Sequence, residues 1–336
     1  MSGTALGLRV DAVGLCCPVG MYAEAACAAM RAGIAVIDEL DELVGLDADG
    51  ESIYGSVLSV VDAKSQRDRA TAHLERALHD LARRVPQLAL ARCPAILVTR
   101  DGRPKTERAL LDLMPNRDLT ATLRGGSQTA FEALVAAARW IAEGSTHVLV
   151  CAVDCLLGAI ELHALRRAGR LRGPGNPHGI IPGEAAACLL VSAFDARSEG
   201  LEVVSHAGAH EPATLHNDVP VRGVGLTEAI RSALVAARVD MDRVDWQLVN
   251  HADETLFVKE HDMALARVLR APRPDMPTWQ SAQFIGDVGA ASGFVEIIWA
   301  MQAWARGYAP GQVALCTCSD PSGPRAAVVV RNVSTR

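Results

Sequence analysis

Short apolar runs constrain this chain most. Residues 10–15, 119–123, 147–153, 185–192, 202–207, 246–250, 313–318 and 325–331 each read as a strand, and 88–99 reads as strand-like. These runs are largely apolar on both alternating positions, so a sheet built from them must be covered on both faces. Between them lie stretches with helical spacing: 22–32, stopped by Gly33, then 68–84, 127–142, 156–168, 227–237, 254–269 and 294–305. Strands that alternate with helices in this way predict a layered α/β fold.

Size and charge narrow the possibilities. The 336 residues suit two fused halves, each large enough for its own core. The polar, Gly-containing stretch 193–201 is the expected seam, giving an N-terminal half 1–195 and a C-terminal half 196–336. No sequence repeat is visible by eye. Half of the residues are hydrophobic but only 4% are aromatic, so the core must be built from Ala, Val, Leu and Ile. A net charge of -6 without a dense Lys/Arg stripe argues against a nucleic-acid partner. The nine cysteines form no CxxC pair, and most sit in apolar runs, which predicts reduced thiols and a cytoplasmic protein. No secretory leader is expected, and no apolar run reaches the ~18 residues of a membrane span.

Gly286-Asp287-Val288-Gly289-Ala290-Ala291-Ser292-Gly293 is the densest small-residue stretch, and it leads into the apolar helix at 294–305. Small residues at this density allow close backbone approach. The segment resembles the Gly-His-x-x-Gly-Ala-Ala-Gly motif of β-ketoacyl synthases, with Asp287 where that family has His. Other segments resemble the same superfamily in order along the chain. They are Pro18-Val19-Gly20 with Arg31-Ala32-Gly33-Ile34, the strand ending at Asp154 with Leu156-Leu157, Ile181-Pro182-Gly183-Glu184-Ala185, and the stretch from Cys318 to Val330. The resemblance implies a thiolase-like, five-layered αβαβα fold made of two similar halves. It also implies an acyl-CoA or acyl carrier protein as partner, and a homodimer or a heterodimer with an active synthase.

Synthases of this family hold a Cys nucleophile at the N-terminus of a buried helix. Counting back from Gly144 sets Ser127 on that position, behind Gly125-Gly126. The resemblance then implies Ser127 as nucleophile, His251 as base and Asp287 as the group that orients it, with helix N-terminal amides holding the oxyanion. Gly126, Gly286, Gly289 and Ser319 would line the substrate. Structural alternatives stand beside each role: a helix N-cap for Ser127, a backbone-satisfied strand-end residue for His251, a turn cap for Asp287. An ionised Asp accepts hydrogen bonds and donates none, so decarboxylative condensation fits Asp287 poorly. Two functions follow: an acyltransferase that works through Ser127, or a ketosynthase-like partner subunit without catalysis.

The remaining polar residues carry less. Glu184 and the loop histidine His178 read as structural and surface residues. His206, His210 and His216 lack the spacing of a metal site. The charged run 253–262 reads as a solvated helix face. Gly223-Val224-Gly225 is no dinucleotide fingerprint, no P-loop is present, and no metal or cofactor is expected.

Overall fold

The computed structural model describes residues 3–40, 52–61, 65–195 and 197–334. Ten strands form one hydrogen-bonded series. They are β1 (Thr4–Cys16), β2 (Ala95–Thr99), β3 (Thr120–Arg124), β4 (His147–Cys155), β5 (Glu184–Ala193), β6 (Gly200–His210), β7 (Trp246–Val249), β8 (Thr278–Gln280), β9 (Val313–Ser319) and β10 (Pro324–Val333). The spatial order is β3-β2-β4-β5-β1 followed by β6-β10-β9-β7-β8.

These are two copies of one topology. Within each set of five, in chain order, the strands lie third-second-fourth-fifth-first. The second strand runs parallel to the third and the fourth, and the fifth runs antiparallel to the fourth and the first. The sets meet at β1, where Leu8–Cys16 pairs with β5 and Thr4–Arg9 pairs with β6, both antiparallel.

Covered faces explain the apolar runs. In β5, Ala185, Ala187, Leu189 and Val191 enter a central core, while Ala186, Cys188 and Leu190 enter an outer one. In β10, Ala326, Val328 and Val330 face the central core and Ala327 and Val329 a second outer one. Each Val or Leu so buried contributes about 1.5–3 kcal/mol. The central core is filled by α1 (Ala23–Arg31), α4 (Thr129–Ala142) and α8 (Ser292–Ala305). The N-terminal outer layer holds α2 (Gln66–Ala82), α3 (Pro104–Leu113) and α5 (Ala159–Arg167). The C-terminal outer layer holds α6 (Val224–Ala237) and α7 (Thr255–Val268). Helix, sheet, helix, sheet and helix give the five expected layers. Gly293 marks the contact of α8 with α4, where a Cβ would come within 2.7 Å of the Phe131 ring.

The structure adds to the sequence reading at several points. Pro104 opens α3, a helix the apolar runs do not announce, and β8 is only three residues long. The 88–99 run splits into a helical turn, Gln87–Leu90, and β2. Pro94 lacks the N–H that a ladder needs, so the strand begins after it. Glu184 is fully buried and opens β5. Its carboxylate receives Arg69 Nε at 2.6 Å and Leu58 N at 2.9 Å, which fastens α2 to the sheet.

Candidate active site

Strand ends from both halves converge beneath the 286–293 segment. Asn250 follows β7, and its side chain continues the ladder one rung past the strand. Asn250 Nδ2 donates to Ser319 O at 3.1 Å, and Ser319 N donates to Asn250 Oδ1 at 2.9 Å. Ser127 Oγ donates to the same Ser319 carbonyl at 3.3 Å. The N-cap of α4 is Gln128, and no side chain caps the helix, so the Ser127 hydroxyl is spent across the site and not on its own helix. Gly126 has no spare room, since a Cβ there would lie 1.7 Å from Asp320 Oδ2.

Asp154, at the end of β4, is the anchor of the 286–293 segment. It accepts from Cys155 N at 2.9 Å and Ala290 N at 3.0 Å, and it pairs with Arg100 Nε at 3.2 Å. Gly289 has φ +51°, and a Cβ would fall 2.1 Å from Asp154 Oδ2. Gly286 has φ +67°, and its Cβ would fall 2.6 Å from Ile181 O. A left-handed backbone and close chain contact both demand glycine at these two positions. Their small size therefore serves chain-to-chain packing.

Asp287 exchanges main-chain bonds with the 181–183 segment, through Ile181 O at 2.7 Å and Gly183 N at 2.8 Å. Its Oδ1 accepts from Gly289 N at 2.8 Å, the bond of a turn cap. Desolvation raises its carboxyl above the usual range, against the opposing pull of the Gly289 N–H, Arg170 and Arg100.

His251 is buried, and its Nδ1 lies 3.4 Å from Ala252 O. Its Nε2 is buried without a hydrogen-bond partner. The ring stacks on Phe257 at 6.1 Å and meets His261 edge-on at 5.7 Å. Burial, helped by His261 and Arg325, pushes its pKa down to about 3, so the imidazole is neutral at pH 7. His251, Asp287 and Ser319 all line one cavity of about 240 Å3, together with Arg170, Ile181 and Asn250. That is just under the ~300–1,000 Å3 usual for small-molecule pockets. His251 and Asp287 thus line one cavity with Ser319, Ser127 is tied to it through the Ser319 carbonyl, and no hydrogen bond joins any two of Ser127, His251 and Asp287. Cys318, next to Ser319, is buried and its thiol is raised well above the ordinary range by desolvation.

The 253–262 run departs from the solvated face expected of it. Glu254 makes a bidentate pair with Arg170 at 3.0 and 2.8 Å, and Asp253 pairs with Arg172 at 2.6 Å. Glu260 is buried against Arg325 at 2.5 and 2.7 Å, and His261 is buried with both ring nitrogens bare. The run looks polar only because its partners lie far away in sequence. Sequence reasoning also missed the roles of Asp154, Arg170 and Asn250. Their position at strand ends and beside a Gly/Pro-rich loop was the available signal. Among the described residues, no three His, Cys, Asp or Glu side chains gather as a metal site, and no helix is long and apolar enough to cross a membrane.

No family model matches the chain, and no curated protein is detectably similar in sequence. Solved structures do match. A chain from the complex of a type II polyketide synthase acyl-carrier protein with its ketosynthase, bound to the hexaketide, gives a TM-score of 0.77 at 14% identity over 98% of this chain and 100% of that one. The ishigamide ketosynthase/chain length factor gives 0.71 at 20% identity, over 98% and 100%. A ketosynthase in complex with its chain length factor from Xenorhabdus doucetiae gives 0.73 at 14% identity, over 98% of each chain. Five layers, a doubled strand order and these matches agree: the chain has the thiolase-like fold of ketosynthases and chain length factors.

Proposed function

We propose that this protein is a ketosynthase-like subunit of a polyketide- or fatty-acid-type pathway that performs no acyl transfer itself and pairs with an active synthase. One observation carries the reading. The only hydroxyl at the nucleophile position, Ser127 Oγ, donates to the Ser319 carbonyl and not to an imidazole. A serine needs a base to attack a thioester, and the nearby His251, with a pKa of about 3, is a weak one. The structural likeness to a ketosynthase complexed with its chain length factor supports the pairing, as does β3 at the end of the strand series, whose outer edge no described strand covers. The two halves, 1–195 and 196–336, would then act as scaffold around the cavity, in the cytoplasm.

A second reading keeps the enzyme. Ser127 would take an acyl group from acyl-CoA or an acyl carrier protein, with His251 as base, Asp287 orienting it, and Gly126, Gly286, Gly289 and Ser319 around the substrate. It is favoured by the shared bonding of Ser127 and Asn250 to one carbonyl, one residue from His251.

The two separate cleanly. The protein is incubated with acyl-CoA and with acyl-N-acetylcysteamine thioesters, and the peptide holding Ser127 is weighed. The proposal expects no adduct. An adduct present in the native chain and absent from Ser127→Ala would overturn it and establish the acyltransferase.

A further inference from the structure

Residues 170–180 close on themselves. Ile180 N donates to Arg170 O at 2.7 Å, and Arg172 N donates to Ile180 O at 2.9 Å. Gly173 and Asn176 exchange main-chain bonds at 3.2 and 3.0 Å, and Gly179 N donates to Asn176 O at 3.0 Å. Asn176 Nδ2 ties the tip back to Gly169 O at 2.9 Å. The segment is therefore a small preformed loop, closed by a parallel bridge between Leu171 and Ile180, that carries its own backbone bonds. Its other base is fixed, because Ile181 O accepts from Asp287 N.

This loop forms one wall of the cavity, and Asp253 and Glu254 stand on the wall from the other half. Two arginines reach across. Arg170 meets Glu254 in a bidentate pair with both side chains 12% exposed, and Arg172 meets Asp253 nearer the surface. His251, with its bare Nε2, lines the same cavity. Loop and facing wall are thus joined by two arginine–carboxylate pairs. Side-chain pairs of this kind break and re-form without disturbing the backbone bonds of either wall.

We propose that the 170–180 loop is a latched flap. The Arg170–Glu254 and Arg172–Asp253 pairs hold it shut over the cavity, and opening them admits a small molecule to His251. This does not depend on whether the protein transfers acyl groups.

Diethyl pyrocarbonate tests the latch. It carbethoxylates a neutral imidazole nitrogen, and the ring proton leaves with the ethyl carbonate that breaks down to ethanol and carbon dioxide, so each histidine reports its own access. His178, exposed at the flap tip, is the internal standard. Peptide mapping of the full chain at low salt is expected to show His251 modified at least about tenfold more slowly than His178. In Glu254→Gln the His251 rate rises about fivefold or more while that of His178 holds. Salt near 1 M, which cuts the screening length to about 3 Å, speeds His251 in the native chain and much less in the variant. Exchanging the charges, with Arg170→Glu and Glu254→Arg together, restores slow modification. Should Glu254→Gln fail to fold by thermal melting, Asp253→Asn removes the outer pair, for which about a twofold rise is expected. His251 as fast as His178 in the native protein, or an unchanged His251 rate in whichever single variant folds, overturns the latch. A raised rate that the exchange variant leaves raised overturns it as well.

Discussion

Each half of the molecule buries one arginine–glutamate pair, and the two are finished differently. In the N-terminal half, Glu184 is met by Arg69 and by Leu58 N, and Arg69 also donates to Val61 O at 2.9 Å. His73 is fixed by Arg69 O at 2.9 Å and sits 3.7 Å from the carboxylate. Burial alone would raise the Glu184 carboxyl, but His73, Arg69 and the Leu58 N–H together hold it below the usual range. In the C-terminal half, Arg325 meets Glu260 but desolvation still leaves that carboxyl raised. The histidines beside it, His251 and His261, keep bare nitrogens. A buried polar group costs free energy unless it is partnered. The N-terminal network holds its carboxyl charged and leaves one ring nitrogen bare, His73 Nε2, while the C-terminal one leaves its carboxyl raised and three ring nitrogens bare beside the cavity.

The largest test of that contrast is acid. Burial pushes His206 to about 4, His251 to about 3 and His261 to about 4. Their unfolded values lie near 6.5, so the unfolded chain binds the extra protons. Stability is therefore full above pH 6.5 and falls as pH drops toward 4, by about 1.4 kcal/mol per pH unit for each histidine. Denaturant midpoints taken from pH 7.5 to 5 should show the fall, and His261→Phe should flatten it. Burial lowers the His73 pKa too, so the contrast is reversed only if His73→Phe flattens the fall more than His261→Phe does.

Next in size is Arg69→Met, which leaves Glu184 buried without its cation. A loss of about 3–5 kcal/mol in urea unfolding is expected. Glu260→Gln should cost less, about 1–2 kcal/mol, because the amide oxygen still accepts a hydrogen bond from Arg325. Equal losses would show the two networks to be alike. The smallest effect belongs to Ser127→Ala, which removes one neutral hydrogen bond of 3.3 Å and should cost about 0.5–1 kcal/mol by the same measurement.

The architecture was legible because it rests on local signals. The apolar runs of β4, β5 and β10 declare covered sheets, and the small residues of 286–293 declare close packing. The doubled strand order was hidden, since two sequences can share a topology while sharing few residues. At the site, the shared cavity of His251 and Asp287 was legible and the bonding was not. The partners of each side chain were fixed by distant positions: Ser319 lies 192 residues from Ser127, and Asp154 lies 136 residues from Ala290. The burial of Glu260 depends likewise on Arg325, which no local pattern reveals.

The double duty of β1 has a consequence for how the chain is made. β1 pairs with β5 along one part and with β6 along another. Both partners are synthesised long after it, so β1 leaves the ribosome with no sheet to join. The halves cannot mature one after the other like beads on a thread. The N-terminal set stays incomplete until the chain has grown past Ala193, and β1 keeps an open edge until His206 has followed. Sequence-distant pairing of this kind slows folding and leaves unpaired edges exposed meanwhile. The arrival of β6 closes β1, and the C-terminal set waits further for β10, which joins β6 to the other three strands.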